Sequence, residues 1–334
     1  MHDLAVVIVS WGSAQWMPAC LRTLHEHAGE LDLEVIVVDN DPRTDISDVV
    51  AEFPSTRIVA AENRGFGAGN NVGVRESDAR YVLFLNPDTE IRSGTLEDMI
   101  RRLDERPAVG LVGIRQVLPS GELIETARHF PSALRALADA LRVENLPIRE
   151  LSLGQRVLGR SKYDSEFQCD WTTGSFMIVR REALLAAGTF DERFFLYSEE
   201  ADLSLRIRRA GWEIWHFPHM EILHYANKAG VDPQLEAQQA YSRWQYARKH
   251  FSLPRRAAFL GALALRYGLR GALAPVSGAN AEKWRETARL ALPIVLGRGE
   301  PPFAAPPEIA VTPSSGKAAD AEDGRPARRF SRIR

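Results

Sequence analysis

Tyr81-Val-Leu-Phe-Leu-Asn-Pro-Asp-Thr-Glu90 is the stretch on which the fold turns. Five apolar or aromatic residues run without a break into Asn86-Pro87-Asp88. An unbroken run of this kind reads as a strand buried on both faces. Pro87 has no N–H to give a neighbouring strand, so pairing stops there and Asp88 is presented at the strand's carboxyl edge. In an open α/β sheet that edge is where ligands bind. Asn, Pro and Asp are also common turn formers, and on these ten residues alone an ordinary turn is an equal reading.

The neighbouring segments change that balance. Leu4-Ala-Val-Val-Ile-Val9 ends in Ser10-Trp11-Gly12-Ser13, and Glu34-Val-Ile-Val-Val38 ends in Asp39-Asn40-Asp41. Between them, Met17 to Ala28 carries Cys20, Leu21 and Leu24 at helical spacing, which predicts a crossover helix. Strands alternating with helices in this way predict an α/β fold with a mostly parallel, doubly wound sheet whose first three strand ends share one crevice. Ile58-Val59 and Val109 to Val112 are further strand candidates.

Farther along, residues 128–162 read as Ala/Leu/Arg helical material broken by Pro131, Pro147, Gly154 and Gly159, an insertion over the sheet. Trp171 to Val179 reads as one strand and Arg180 to Gly188 as a short helix. Ser198 opens a longer helix that Gly211 closes, and Glu213 to Tyr225 is extended chain with three histidines. The division expected is a catalytic domain over 1–233, split near 115, then a helical extension over 234–298. The Pro-, Ala- and Gly-rich residues 299–334 form a disordered tail.

With 334 residues, 45% of them hydrophobic, the chain can bury the core of one large or two modest domains. A net charge of −2 supplies no basic field for duplex nucleic acid, which is therefore not expected as a partner. Cys20 and Cys169 make no disulfide framework and lack metal-ligand spacing, which favours a reducing compartment. The chain enters its first strand directly, with Asp3 where a signal peptide would be basic, and holds no run long enough to span a bilayer. A cytoplasmic location follows as the expectation.

Asn63-Arg-Gly-Phe-Gly-Ala-Gly-Asn-Asn-Val-Gly73 has four glycines in eleven residues. Read as a loop, it would bring backbone N–H groups close to a phosphate, with a following helix N-terminus adding partial positive charge. Its spacing matches neither the dinucleotide fingerprint nor a Walker-type loop. A flexible turn is the plain alternative.

Six ordered blocks resemble glycosyltransferase family 2: residues 7–11, 37–40, 62–71, 85–89, 174–181 and 190–206. The resemblance spans about Ala5 to Tyr225 and implies an inverting sugar transferase with a GT-A type nucleotide-sugar-binding fold. It implies that Asp39 contacts the nucleoside and that Ser10 and Trp11 line the base pocket. Asn63, Arg64, Gly65 and Asn70 would hold the nucleotide. Asp88 would bind a divalent cation, Mn2+ or Mg2+, at the donor diphosphate, with His224 as second ligand. Asn86 stands beside the donor where the family's usual Asp-x-Asp has its first carboxylate, and an amide brings no charge there. Glu200, with Glu199 second, would be the base, and Trp171, Thr173 and Gly174 would sit near the acceptor. Direct displacement at an anomeric carbon needs its base on the face opposite the leaving diphosphate, so this acidic block and Asp88 must come from different parts of the chain. The plain alternative is that Glu199 and Glu200 complement a helix N-terminus after a Ser198 cap.

The Asn-Pro-Asp-Thr block with the Glu-Asn-x-Gly-Phe-Gly stretch is most similar to the rhamnosyltransferases. That implies dTDP-L-rhamnose as donor and a polysaccharide or lipid-linked glycan as acceptor. The alternatives are a UDP-hexose or UDP-galactofuranose donor, and a non-catalytic nucleotide-sugar-binding or assembly protein. Arg255 to Ala274 interleaves leucines with arginines. Such a helix can lie in a membrane interface, here the cytoplasmic face, or pack on the catalytic domain or on a second subunit of a homo-oligomer.

Overall fold

Leu4, Val6 and Ile8 lie in one apolar cluster and Val7 in another, and all four are fully buried. Tyr81, Leu83 and Leu85 divide from Val82 and Phe84 in the same way. Both faces of these strands are covered, which is why neither run alternates with polar residues. The computed structural model describes residues 2–143, 152–225 and 232–303.

The first part of the chain holds β1 (Leu4–Ser10), α1 (Met17–Glu26), β2 (Leu33–Asp39), α2 (Ser47–Ala51), β3 (Thr56–Ala60), α3 (Phe66–Arg75), β4 (Tyr81–Leu85), β5 (Thr89–Ser93), α4 (Leu96–Asp104) and β6 (Val109–Val117). Then come β7 (Leu123–Ile124), β8 (Ala127–Arg128), α5 (Ala133–Ala140), β9 (Phe167–Gln168), β10 (Trp171–Thr172), β11 (Phe176–Arg180), α6 (Arg181–Ala187), α7 (Glu199–Arg209) and β12 (Glu213–His224). Three helices follow: α8 (Pro233–His250), α9 (Leu253–Leu273) and α10 (Ala281–Val295).

The main sheet runs β3-β2-β1-β4-β11-β6-β12-β5. Its first four strands are parallel, β11 is antiparallel to both β4 and β6, and β12 runs parallel to β6. Two reversals cancel, so β6 and β12 end at the same edge as β1, β2 and β4. The crevice expected from the first three strand ends is therefore longer than expected, and β12 delivers His224 to it opposite Thr89.

Three readings are corrected here. Residues 171–179 form two strands, because β10 pairs with β8 in a small separate sheet before Phe176 joins the main sheet opposite Leu85. The glycine-rich stretch is a loop only to Gly65 and then becomes α3. A Cβ at Gly73 would come within 2.4 Å of Val7 Cγ1, and one at Gly69 within 2.9 Å of Val9 Cγ1, so these glycines let the helix lie hard against β1. The described residues of 128–162 are also less helical than expected, carrying part of β8 and the start of a 3-10 turn at Arg160–Asp164 besides α5. Pro147 and most of the tail lie outside the described residues.

The C-terminal helices share an apolar cluster with α5, in which Phe259, Leu263, Tyr267 and Ile294 are buried. The stripe of α9 considered for a membrane surface is thus turned largely into protein. Among the described residues no helix is long and apolar enough to cross a membrane.

Candidate active site

At the shared edge, Ser10 and Asp39 stand opposite each other in the β1–β2 register. Asp39 Oδ1 accepts the Asp41 N–H at 3.0 Å, and burial raises its carboxyl above the usual range. Ser10 Oγ lies 3.1 Å from Ser13 Oγ. The Arg43 guanidinium sits 4.5 Å over the Trp11 ring and binds Asp41 at 2.7 Å, while Asp41 also accepts the Gly12 N–H at 3.0 Å. Asp41, noted in the sequence only as part of a strand end, and Arg43, which was not singled out, therefore fix the turn that carries Trp11.

Next along the crevice, Asn63 Oδ1 accepts the Gly65 N–H at 3.0 Å, and Arg64 pairs with Glu192 at 3.3 Å. Gly65 has φ 105°, and a Cβ there would overlap the Phe195 carbonyl at 2.1 Å. Asn70 is buried and its amide donates to the Phe66 carbonyl within α3 at 2.9 Å. Its neighbour Asn71 instead clasps Phe190, giving to its carbonyl at 2.9 Å and accepting its N–H at 3.0 Å. Nothing in the spacing of two adjacent asparagines distinguishes them; only the rotation of α3 does.

Asp88 and His224 meet, although 136 residues separate them: Nε2 lies 3.5 Å from Oδ1. The Tyr225 N–H holds the Asp88 carbonyl at 2.9 Å, and Tyr225 stacks on Trp16 with ring centroids 4.3 Å apart. His224 Nδ1 is buried without a partner. His216 is buried near the Tyr163 carbonyl and so packs in the interior, whereas His219 pairs with Glu166 at 2.7 Å on the surface. Among the described residues no group of three His, Cys, Asp or Glu side chains could hold a metal.

The acidic block opens α7 after two consecutive left-handed residues, Tyr197 at φ 71° and Ser198 at φ 67°. Each non-glycine residue so held costs roughly 1–3 kcal/mol, and such positions gather at functional sites. Ser198 makes no side-chain cap, contrary to the capping expectation. Glu199 is buried; burial first, and then the charge of Glu200, push its carboxyl well above the usual range, and its Oε2 has no partner. Burial also raises Glu200, against the pull of the Gly174 N–H, which donates to Oε1 at 3.1 Å, and of Arg128. A Cβ at Gly174 would stand 3.0 Å from the Phe66 ring and 3.1 Å from Glu200 Oε1, which explains the glycine. Asp202 turns away, binding Lys249 and His250 at 2.6 Å and Arg206 at 2.7 Å, and so joins α7 to α8.

A cavity of about 880 Å³ has Asn86, Trp171, Thr173, Gly174, Glu199, Glu200 and His224 in its lining. Thr173 Oγ1 lies 3.3 Å from Ser175 Oγ, and Trp171 Nε1 donates to the His129 carbonyl at 3.0 Å. Ser10, Trp11, Asp39, Asn63, Arg64, Gly65, Asn70 and Asp88 do not line that cavity; His224, which does, stands 3.5 Å from Asp88 at the sheet edge. Arg128 is a wall residue that sequence reasoning took for part of a helical insertion. Its position depends on the β8–β10 pairing, which no local signal announces.

The sequence model of the family described as "Glycosyl transferase family 2" matches residues 5–184, more than half of the chain. The N-acetylglucosaminyl-diphospho-decaprenol L-rhamnosyltransferase of Mycobacterium tuberculosis is 29% identical over 282 residues, covering 79% of this chain and 91% of that protein. Rhamnosyltransferase WbbL of Escherichia coli is 26% identical over 230 residues, covering 66% and 83%. In fold, the chain is similar to a mannosyltransferase of Pyrobaculum calidifontis solved with GDP-Man and Mn2+, with TM-score 0.51 and 16% identity over 88% of this chain and 84% of that one.

Proposed function

Because the chain belongs to glycosyl transferase family 2, we propose that it moves L-rhamnose from dTDP-L-rhamnose to a hydroxyl of a lipid-linked or polysaccharide glycan, with inversion at the anomeric carbon. The observation that carries this reading is the convergence of two chemistries on one sheet edge. Asp88 and His224 stand together at 3.5 Å, and His224 shares a cavity wall with Glu200, whose carboxylate is oriented by the Gly174 N–H.

In this reading the acceptor hydroxyl oxygen attacks the anomeric carbon, Glu200 takes its proton, and the bond to the diphosphate oxygen breaks. A carboxyl raised by burial toward neutrality suits a base that must take and then release a proton. Glu199 beside it is raised as well, by burial first and then by the charge of Glu200. Trp171 and Thr173 bound the acceptor side of the cavity. Asp39, Ser10 and Trp11 hold the nucleoside, and Asn63, Arg64, Gly65, Asn70 and Asn86 flank the donor.

The Asp88 carboxylate facing Nε2 of His224 fits a divalent cation that takes its other ligands from the donor diphosphate. Mn2+ or Mg2+ bound by Asp88 and His224 would supply positive charge for the departing diphosphate. The relatives' names support rhamnose as the sugar.

A panel of nucleotide sugars tested for protection against thermal unfolding checks the donor, since a ligand of the native state alone raises apparent stability. A shift with dTDP-L-rhamnose and none with UDP-hexoses or UDP-galactofuranose is expected. The reverse pattern would replace the donor.

A further inference from the structure

Helices α8 and α9, beyond the 5–184 stretch matched by the family sequence model, put Arg243, Arg266 and Arg270 into the wall of the cavity that holds Glu200. One carboxylate serves two of them: Glu236 binds Arg270 at 2.8 Å and approaches Arg266 at 4.0 Å. Nη1 of Arg243 and Nε of Arg266 are buried without hydrogen-bond partners. Burial and the charge of Arg266 both act against the Arg243 cation, and the charges of Tyr267, Asp139 and Glu236 offset them only in part. A protein does not hold incompletely compensated guanidinium groups inside a cavity without cost, unless an anion completes them.

The rest of this wall narrows the anion's identity. Leu141, Leu269 and Leu273 line the same cavity as the arginines, and Leu141 and Leu273 are 56% and 48% exposed. Arg142 lies 5.0 Å over the Trp284 ring at the same wall. Cations grouped with exposed apolar side chains suit an anion attached to a hydrocarbon. The donor's diphosphate has its own place at Asp88 and His224.

We propose that Arg243, Arg266 and Arg270 form a subsite for the phosphate or diphosphate linking the acceptor's sugar to its lipid, with the lipid leaving over Leu141 and Leu273. Guanidinium forks match phosphate oxygens in geometry as well as charge. The proposal rests on the reading of the chain as a transferase acting on a lipid-linked acceptor, and it names which part of that acceptor the C-terminal helices recognise.

The test is a calorimetric titration of farnesyl diphosphate into the full chain saturated with dTDP, with farnesol and inorganic pyrophosphate as separate arms. Farnesyl diphosphate is expected to bind saturably, more tightly than pyrophosphate, with farnesol far weaker. Arg243→Met and, as an independent variant, Arg266→Met should each weaken it by about tenfold or more, the scale of a lost hydrogen bond to a charged group. Arg243→Lys should fall between, since it keeps the charge and loses the fork. Ligand-free thermal midpoints identify any variant that does not fold, and the other then decides. Displacement by dTDP, equal binding of free pyrophosphate, or indifference to both folded variants would overturn the subsite. Because the readout is binding, a sound subsite with no sugar transferred from any donor would instead overturn the functional reading.

Discussion

Glu200 and Glu199 are adjacent in sequence and differ in what surrounds them. Glu200 Oε1 is held by the Gly174 N–H at 3.1 Å in the cavity wall, whereas Glu199 Oε2 is buried with no partner. Glu200→Gln is expected to lower turnover by about 10²-fold or more while leaving nucleotide-sugar protection unchanged, and steady-state kinetics beside thermal shift separates the two. Normal turnover in that variant would move the base elsewhere. Glu199→Gln tests a different quantity. Its folded carboxyl is raised above the unfolded one, so the stability it contributes is full below the unfolded value of about 4.3 and declines as pH rises toward the folded value. The glutamine variant should therefore be more stable than wild type at pH 8 and lose that advantage near pH 4, read from denaturant unfolding. An equal difference at both pH values would show that Glu199 is not buried as the acid. Asp88 and Glu200 were singled out as candidates because each sits in a short block of distinctive residues. Arg128 and Asn71 were not, because one depends on a two-residue strand pairing and the other on how a helix is rotated.

The elements show where local pattern misleads. Glycine is a poor helix former, so the 63–73 stretch reads as a loop, yet tertiary packing makes α3 of it. Close approach to β1 outweighs propensity, and Gly73 is the clearest case, 2.4 Å separating its would-be Cβ from Val7 Cγ1. Gly73→Ala should destabilise the protein by about 1–3 kcal/mol, although alanine is the better helix former, and denaturant unfolding measures it. A stabilised variant would mean that α3 stands farther from the sheet. The arginine-leucine pattern of α9 was legible as an amphipathic helix, but its partner was not. Phe259 and Leu263 face α5, α8 and α10, while Arg266 and Arg270 turn to the cavity. A hydrophobic stripe states that a face is buried and leaves open against what.

For the whole molecule, the alternation of strands and helices sufficed to predict the α/β class and the crevice at the ends of β1, β2 and β4. It did not reveal that β11 reverses direction and that β6 and β12 then end at the same edge. That long-range pairing carries His224 to Asp88 and into the lining of the cavity that also holds Glu199 and Glu200, so the candidate site is a product of topology as much as of motifs. The C-terminal helices complete the cavity with residues that no family block contains. The account as a whole is tested most directly by incubating the full chain with dTDP-L-rhamnose, Mn2+ and a prenyl-diphosphate-linked N-acetylglucosamine, the acceptor class in the mycobacterial relative's name. Mass spectrometry and NMR of the lipid product then show what was transferred and with which configuration. The account predicts one added deoxyhexose with the anomeric configuration opposite to the donor's, formed by the wild type and lost in Glu200→Gln. A product that retains the donor's configuration, or one formed equally well by Glu200→Gln, would contradict it.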